Sequence, residues 1–232
     1  MSIKLEKFVP FGRSFDEYRQ IFALSEADLS GNILGVGDGP ASFNAEATAK
    51  GYSVTSIDPV YKFSGEEIYR QFDHVLDTII DQVIATPNDW IWSYHRSPND
   101  LRRNRIQAIQ RFISDYQHGK QAGRYQVGSL PSLTFKDDQF DLALCSHLLF
   151  LYSDHYDAVF HQQAVQEMLR VSQEVRIFPL LTLMLQPSPY LDRVIHDCVA
   201  AGHTVTIEPV FYELQRGGNQ MLRIRKVIKA AN

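Results

Sequence analysis

The sequence predicts a three-layer α/β fold, with helices on both faces of a doubly wound, mostly parallel sheet that carries an antiparallel terminal strand. Three observations predict it. A strand-like run, a glycine turn, a helical run and a second strand-like run follow one another within residues 32–61. Near-continuous apolar runs, typical of parallel strands covered on both faces, recur later in the chain. The last two strand-like runs are joined by a Gly-Gly-Asn turn, which predicts an antiparallel hairpin.

Length and composition are those of one globular domain, which we predict to span residues 1–232. An apolar content of 44%, a charged content of 22% and a net charge of -4 are ordinary values. They give no global reason to expect nucleic acid or an anionic membrane as partner. Cys145 and Cys198 lie in apolar runs without metal-ligand spacing, so we expect core residues and no disulfide. Without an apolar run of signal-peptide or membrane-spanning length, a cytoplasmic location is expected.

The first half of the chain predicts a leading helix and a βαβ unit. Ser14 and Glu17 form a capping box, which predicts a helix over residues 14–24. Pro40 suits the first position of the helix that follows the glycine turn, because its φ angle is already helical. Beyond Asp58, an amphipathic run predicts a helix that ends before Pro87.

A helical insertion of about residues 87–123 then precedes the third strand. It contains both tryptophans and five arginines, and Ser97 with Pro98 marks the start of its long helix. Two interpretations stay open. The aromatic and arginine side chains form a lid for an anionic or planar substrate, or an RNA-contact patch. Alternatively, the aromatic residues anchor the insertion and the arginines form a solvated helix face.

The second half of the chain alternates strands and helices. Asp154 and Ser188 are the expected helix caps, and Gly202 the expected stop of the last helix. The strands are predicted over residues 125–129, 142–147, 174–180, 204–210 and 220–227.

The glycine turn is the best candidate for a ligand site. Gly35, Gly37 and Gly39 remove the β-carbons where the backbone must turn sharply and where a ligand comes close. Backbone N–H groups at the start of the following helix face the same turn. Asp58 ends the second strand about twenty residues later, where a carboxylate can accept hydrogen bonds from a ribose.

This G-x-G-x-G turn with an acid at the end of strand two resembles motifs one and two of the class I S-adenosylmethionine-dependent methyltransferases. Leu133 to Phe135, followed by Phe140 and Asp141, resembles the stretch that introduces strand four in that family. The resemblance covers nearly the whole chain, and the insertion is its weakest part. It implies a Rossmann-like sheet of the seven-strand methyltransferase type and S-adenosylmethionine as the cofactor.

Two departures from the family pattern bear on function. The family usually carries an acid two residues before the first glycine, and here that position is Ile33. The Gly-Asp-Gly sequence also resembles spermidine synthases, which are aminopropyl transferases of the same fold. Their acidic segment after strand four is replaced here by Ser146 and His147, which leaves the aminopropyl interpretation a minority alternative.

The resemblance implies site residues at the carboxyl ends of the central strands. His147 is the candidate catalytic base, since an imidazole titrates in the useful range; its alternative role is a hydrogen-bonded spacer in the turn. No metal site is predicted. The implied cofactor-binding residues are Gly35, Gly37, Asp38, Gly39, Asp58, Pro59, Ser129, Leu130 and Ser146.

The hypothesis is therefore an S-adenosylmethionine-dependent methyltransferase that acts on a small-molecule acceptor, with no membrane partner. Two alternatives stay open: an RNA-directed methyltransferase that uses the arginines of the insertion, and a non-catalytic S-adenosylmethionine-binding protein. The sequence names neither the acceptor nor the oligomeric state.

Overall fold

The computed structural model describes residues 11–227, so residues 1–10 and 228–232 of the predicted domain lie outside the described range. Seven strands form one sheet in this part of the chain: Asn32–Val36 (β1), Ser53–Ile57 (β2), Tyr125–Gln126 (β3), Phe140–Ser146 (β4), Ser172–Phe178 (β5), Thr204–Pro209 (β6) and Gln220–Arg225 (β7). The α-helices are Phe15–Ile21 (α1), Glu26–Leu29 (α2), Phe43–Ala49 (α3), Gly65–Ala85 (α4), Pro98–Gln121 (α5), Ala158–Val171 (α6) and Leu191–Ala200 (α7).

The sheet has the strand order β3-β2-β1-β4-β5-β7-β6. Strands β1 to β5 pair in parallel, and β7 runs antiparallel to both β5 and β6. The predicted mostly parallel sheet with a terminal hairpin is thus confirmed. From β1 the chain builds outward to one side and then returns to build the other side, so the topological switch point lies between β1 and β4. Ligand sites of doubly wound sheets lie at this point, beyond the carboxyl ends of the strands.

Side chains alternate between two apolar clusters, one on each face of the sheet. Ile33 and Leu142 pack into the cluster that contains the apolar sides of α1, α3, α4 and α5. Leu34 and Cys145 pack into the opposite cluster, with residues of α6 and α7. Cys145 and Cys198 are both buried free thiols, which confirms the prediction that they are core residues.

The leading helix and the insertion begin where the sequence predicts. Both hydrogen bonds of the Ser14–Glu17 capping box are present, and α1 ends at Ile21, three residues before the predicted end. Helix α4 ends at Ala85, and α5 starts at Pro98 with Ser97 as its N-cap. The two long helices pack against each other, and α5 also packs against α3. No helix within residues 11–227 combines the length and the apolar character needed to cross a bilayer.

Two boundaries near the glycine turn differ from the prediction. Helix α3 begins at Phe43 and not at Pro40, because residues 40–42 run as a loop whose Ser42 N–H donates to the Arg13 carbonyl at 3.0 Å. Strand β3 contains two residues instead of five, since the chain leaves the sheet after Gln126.

Two helix caps were also wrong. Helix α6 is capped by Asp157 and not by Asp154, because residues 148–156 form consecutive turns. Helix α7 begins at Leu191 after Tyr190, and the Ser188 hydroxyl instead lies 2.7 Å from the Ser153 hydroxyl. In both cases the polar residue that was predicted to cap the helix lies in the loop before it.

Candidate functional site

A cavity of about 870 Å³ opens at the carboxyl ends of β1, β2 and β4, at the switch point of the sheet. Its volume lies in the range of small-molecule and cofactor sites. The predicted site residues that line it are Gly37, Asp38, Gly39, Asp58, Pro59, Ser129, Leu130, Ser146 and His147. Gly35 does not line the cavity, because the Asp38 carboxylate lies directly over its α-carbon and leaves no room for a β-carbon.

The glycine turn requires glycine at its centre. Gly37 has a φ of +68° and Gly39 a φ of +53°, both in the left-handed region that side chains disfavour. A β-carbon on Gly37 would also lie 2.5 Å from Leu148 Cδ2. The Gly37 N–H donates to the Ile57 carbonyl at 2.9 Å, which fixes the turn against the end of β2.

Asp38 points inward from this turn and is buried. One carboxylate oxygen accepts from the Tyr18 hydroxyl at 2.6 Å, and the other accepts from the Ser56 hydroxyl, also at 2.6 Å. Burial raises the pKa of Asp38 to about 6 despite these two hydrogen bonds, and the nearby charge of Asp58 adds to the shift. Asp38 thus ties helix α1 and strand β2 to the turn.

Asp58 is the second carboxylate of the site. Its Oδ2 accepts from the Gly39 N–H at 2.9 Å and its Oδ1 from the Val60 N–H at 2.7 Å. Burial raises the pKa of Asp58 to about 6, and these two backbone donors act in the opposite direction. Because each carboxylate oxygen can accept more than one hydrogen bond, Asp58 retains acceptor capacity for a ligand in the cavity.

The loop after β3 forms another wall. Leu130 is buried and Ser129 exposed, and both line the cavity. Gly128, which the sequence analysis did not single out, lines it as well; the Ile57 side chain leaves no room for a β-carbon there. No motif in the sequence around Gly128 distinguishes a glycine that lines a cavity from a glycine in an ordinary turn.

Ser146 and His147 end strand β4 at the cavity. His147 has a φ of +54°, unusual for a residue with a side chain, and its N–H donates to the Phe178 carbonyl at 2.6 Å. The Ser146 hydroxyl lies 2.8 Å from His147 Nδ1. Burial, together with the positive charges of Arg13 and Arg105, holds the pKa of His147 well below its usual range. A neutral imidazole is therefore the favoured form near pH 7, and it is a weak base.

A buried ionic cluster lies at this end of the cavity, where its members Arg105 and Tyr212 belong to the lining, and sequence reasoning missed it. The Arg105 guanidinium donates to both oxygens of Glu17, at 2.7 and 2.8 Å. The Tyr212 hydroxyl and His95 Nε2 each lie 3.2 Å from Glu17 Oε1. The sequence analysis gave Glu17 only its capping role, because nothing in the pattern says that two distant segments meet at a capping residue.

The arginines of the insertion form neither a single free patch nor a uniform solvated face. Arg105 is buried, whereas Arg96 is exposed. The remaining three form ion pairs: Arg102 with Asp77, Arg103 with Asp100 and Arg111 with Glu46.

The far end of the cavity is covered by two connections. The chain between α4 and α5 meets the chain between β6 and β7 through a bridge of Trp90 with Gln215 and a hydrogen bond from the Ile91 N–H to the Leu214 carbonyl. The Arg216 side chain adds a hydrogen bond to the Asn88 carbonyl at 2.6 Å. The tryptophan side of the insertion therefore contributes to the cavity wall.

Comparisons with known proteins agree with this architecture. No protein-family model matches the sequence. The chain is 35% identical over 225 residues to the uncharacterised protein MJ0045 of Methanocaldococcus jannaschii, across 97% of this chain and 99% of that protein. Among solved structures, the PH0226 protein of Pyrococcus horikoshii has a TM-score of 0.50 at 10% identity, over 91% of this chain and 90% of that one. The mitomycin 7-O-methyltransferase MmcR has a TM-score of 0.50 at 11% identity, over 92% of this chain and 54% of that one.

Proposed function

Because the chain belongs to the family of the uncharacterised protein MJ0045 and has the class I methyltransferase fold, we propose that it is an S-adenosylmethionine-dependent methyltransferase that acts on a small molecule. Bound S-adenosylmethionine supplies a methyl group activated by a sulfonium centre. The residues around the cavity bind and orient the reactants, since transfer to a ready nucleophile depends mainly on positioning.

The observation that carries this proposal is the hydrogen bond between the Gly39 N–H and Asp58 Oδ2. It joins the glycine turn after β1 to the carboxylate after β2 on the wall of one cavity. The glycine turn, which has no β-carbon at Gly37 and Gly39, meets the methionine part of the cofactor, and Asp58 accepts from the ribose hydroxyls. The loop of Ser129 and Leu130 flanks the adenine.

The other end of the cavity supports a small-molecule acceptor. It is covered by the bridged connections around Trp90 and Gln215, and its lining is mostly apolar and aromatic. Ser146 and His147 lie between the two ends. With a depressed pKa, His147 acts there as a hydrogen-bonding group that orients the acceptor, and it removes a proton only from a nucleophile that is itself acidic.

No observation favours the RNA-directed alternative, since most arginines of the insertion already pair with carboxylates. An assay of methyl transfer distinguishes the enzyme from the non-catalytic alternative. A protein that binds the cofactor but methylates nothing in a broad panel of small acceptors would be a binding protein and not an enzyme.

The proposal predicts that the purified protein binds S-adenosylmethionine and S-adenosylhomocysteine in isothermal titration calorimetry. Gly37→Ala should weaken both affinities by about tenfold, because the new methyl group collides with Leu148 and displaces the turn. Gly51→Ala is the matched control, since Gly51 also has a positive φ of +90° but lies away from the cavity lining. Equal affinities in both variants, or no binding by the wild type, would contradict the proposal.

A second prediction concerns pH. Asp58 accepts from the ribose as a carboxylate, so cofactor affinity should fall as pH drops through about 6, the pKa of this group. With one proton competing, the dissociation constant should rise about tenfold between pH 7 and pH 5. Folding has the opposite preference, because a raised carboxyl pKa contributes stability at low pH that is lost as pH rises through 6.

Titrations of Asp58→Asn over the same pH range check this assignment, and they should show a nearly flat dependence. Asp38→Asn serves as the control, because Asp38 has a pKa of about 6 as well but directs its oxygens to Tyr18 and Ser56. If the pH profile were flat in Asp38→Asn and unchanged in Asp58→Asn, the titrating group would be Asp38, and the assignment to Asp58 would be wrong.

A further inference from the structure

The cavity follows one face of helix α4. Ile68, Ile79 and Val83 of this helix line the cavity, and all three are buried. In an α-helix, these positions lie within about 60° of one another around the axis and extend over about 22 Å along it. Between them, the Phe11 ring packs against the Phe72 ring, with their centroids 5.6 Å apart, and Phe11 itself lines the cavity. The cavity is therefore elongated in the direction of α4.

The two ends of this path differ in exposure. Near the amino end of α4 the cavity is lined by exposed residues, which are Lys62, Phe63, Glu67 and Gln71. Near the carboxyl end it is lined by a set of buried apolar residues, here called the far chamber: Ile79, Val83, Trp90, Leu101 and Leu214. The cavity thus has a partly polar mouth and an apolar, buried end.

The polar groups beside the far chamber are already bonded within the protein. Trp90 Nε1 donates to Thr86 Oγ1 at 2.9 Å. The Tyr212 hydroxyl donates to Glu17 Oε1 at 3.2 Å, and the Arg105 guanidinium donates to both oxygens of that carboxylate. A polar group of a ligand placed here would lose its water and find these donors engaged, which costs free energy. The far chamber therefore favours hydrocarbon.

A row of rings connects the proposed site of methyl transfer with the far chamber. The ring centroids of His147 and Phe178 are 5.2 Å apart, and those of Phe178 and Tyr212 are 6.0 Å apart. All three residues line the cavity, and Leu214 of the far chamber follows Tyr212 by two residues. A molecule whose reactive group lies beside His147 can therefore extend into the far chamber without leaving the cavity.

We propose that the methyl acceptor is an elongated, hydrocarbon-rich small molecule, with the accepting group at one end and an alkyl or isoprenoid chain that occupies the far chamber. This inference rests on the proposed function, because it assigns the acceptor class of the same cavity. In the transfer, the accepting atom bonds to the methyl carbon while the bond from that carbon to sulfur breaks. The electron pair stays on sulfur, S-adenosylhomocysteine leaves, and any proton on the accepting atom is released.

The test uses a series of para-alkylphenols with ethyl, butyl, hexyl and octyl chains. Their affinities are measured by isothermal titration calorimetry, with and without saturating S-adenosylhomocysteine. In the wild type, affinity should rise by up to about fourfold with each added methylene, as expected for the transfer of hydrocarbon from water to an apolar site.

A substitution in the far chamber should shorten the chain that the protein accepts. Val83→Phe places a ring in the chamber, so it should weaken the binding of para-octylphenol by about tenfold or more. The affinities for para-ethylphenol and S-adenosylhomocysteine should stay within about twofold of the wild type. Ile84→Phe is the matched control, because Ile84 is the next residue of α4 but is exposed and lies outside the cavity lining.

Thermal unfolding checks that each variant is folded, and Leu214→Phe obstructs the far chamber from another wall if Val83→Phe does not fold. An affinity that is independent of chain length in the wild type would overturn the inference, as would an unchanged dependence in a folded, obstructed variant. Tighter binding of the planar hydroxypyrene than of para-octylphenol would contradict an elongated acceptor. A protein that shows the chain-length dependence but binds neither S-adenosylmethionine nor S-adenosylhomocysteine would refute the proposed function and retain the hydrocarbon-binding chamber.

Discussion

Replacing Glu17 with glutamine is expected to lower the free energy of unfolding by about 3–5 kcal/mol, as is typical when one partner of a buried ion pair is removed. The substitution leaves the Arg105 guanidinium buried without its counter-charge. Chemical denaturation followed by circular dichroism measures the loss. Glu17 also accepts a hydrogen bond from the Tyr212 hydroxyl. The variant should therefore weaken the contact between α1, α5 and the connection from β6 to β7.

Glu67 offers a matched control for this experiment. It occupies the same capping-box position in α4, where it bonds to Ser64, but it is exposed. Glu67→Gln should therefore cost under about 1 kcal/mol. A similar loss in both variants would mean that capping, and not the buried charge, explains the effect of Glu17.

The effect of Glu17→Gln should also depend on pH. Burial by itself raises the pKa of Glu17, but the charge of Arg105 and the hydrogen bonds from His95 and Arg105 hold it well below its usual range. A lowered pKa contributes stability above the pKa of the unfolded chain, about 4.3, and that stability is lost as pH falls through the folded value. The difference between wild type and variant should shrink in strong acid.

Asp58→Ala is expected to weaken S-adenosylmethionine binding by about 1–3 kcal/mol, or roughly 5- to 150-fold. The variant removes the acceptor proposed for the ribose, and it also removes the hydrogen bond that holds the Gly39 N–H. Calorimetry at pH 7.5 measures the change.

The control for this second prediction is Asp141→Ala. Asp141 Oδ2 accepts from the Asn32 N–H at 2.7 Å, so it too is a carboxylate bonded to the backbone, but it lies near the amino end of β4, at the opposite end of the strand from the cavity. The control should leave cofactor affinity within about twofold of the wild type. Unchanged affinity in Asp58→Ala would contradict the assignment of Asp58 to the ribose, although cofactor binding itself would remain.

The strands and the terminal hairpin follow from local patterns, which is why they were predictable from the sequence, whereas the seven-strand arrangement was implied by the resemblance to methyltransferases. Apolar runs of strand length, the glycine turn, the hairpin turn and the capping box at Ser14 are each encoded in consecutive residues. The wrong predictions occur where a contact with a distant segment determines the local conformation. Residues 40–42 stay outside α3 because the segment at Arg13 bonds to them, and no pattern near Pro40 reports that contact.

The candidate site was predictable in the same uneven way. Eight of the nine implied cofactor residues line the cavity, because strands and turns bring them to the carboxyl ends of neighbouring strands. The ninth, Gly35, serves instead to admit the Asp38 carboxylate. The cluster of Glu17, Arg105 and Tyr212 joins segments 88 and 107 residues apart, a distance at which a single sequence carries no pairing signal.

The bridge between the connections around Trp90 and Gln215 is made largely by main-chain atoms. Hydrogen bonds of this kind depend on the path of the chain and hardly on which side chains it carries. Side-chain substitutions in these two stretches can therefore change the lining of the proposed acceptor end of the cavity while the main-chain contacts that cover it remain. If the proposed function holds, substrate choice can vary there while the proposed cofactor site, formed by turns at the ends of the strands, is unchanged.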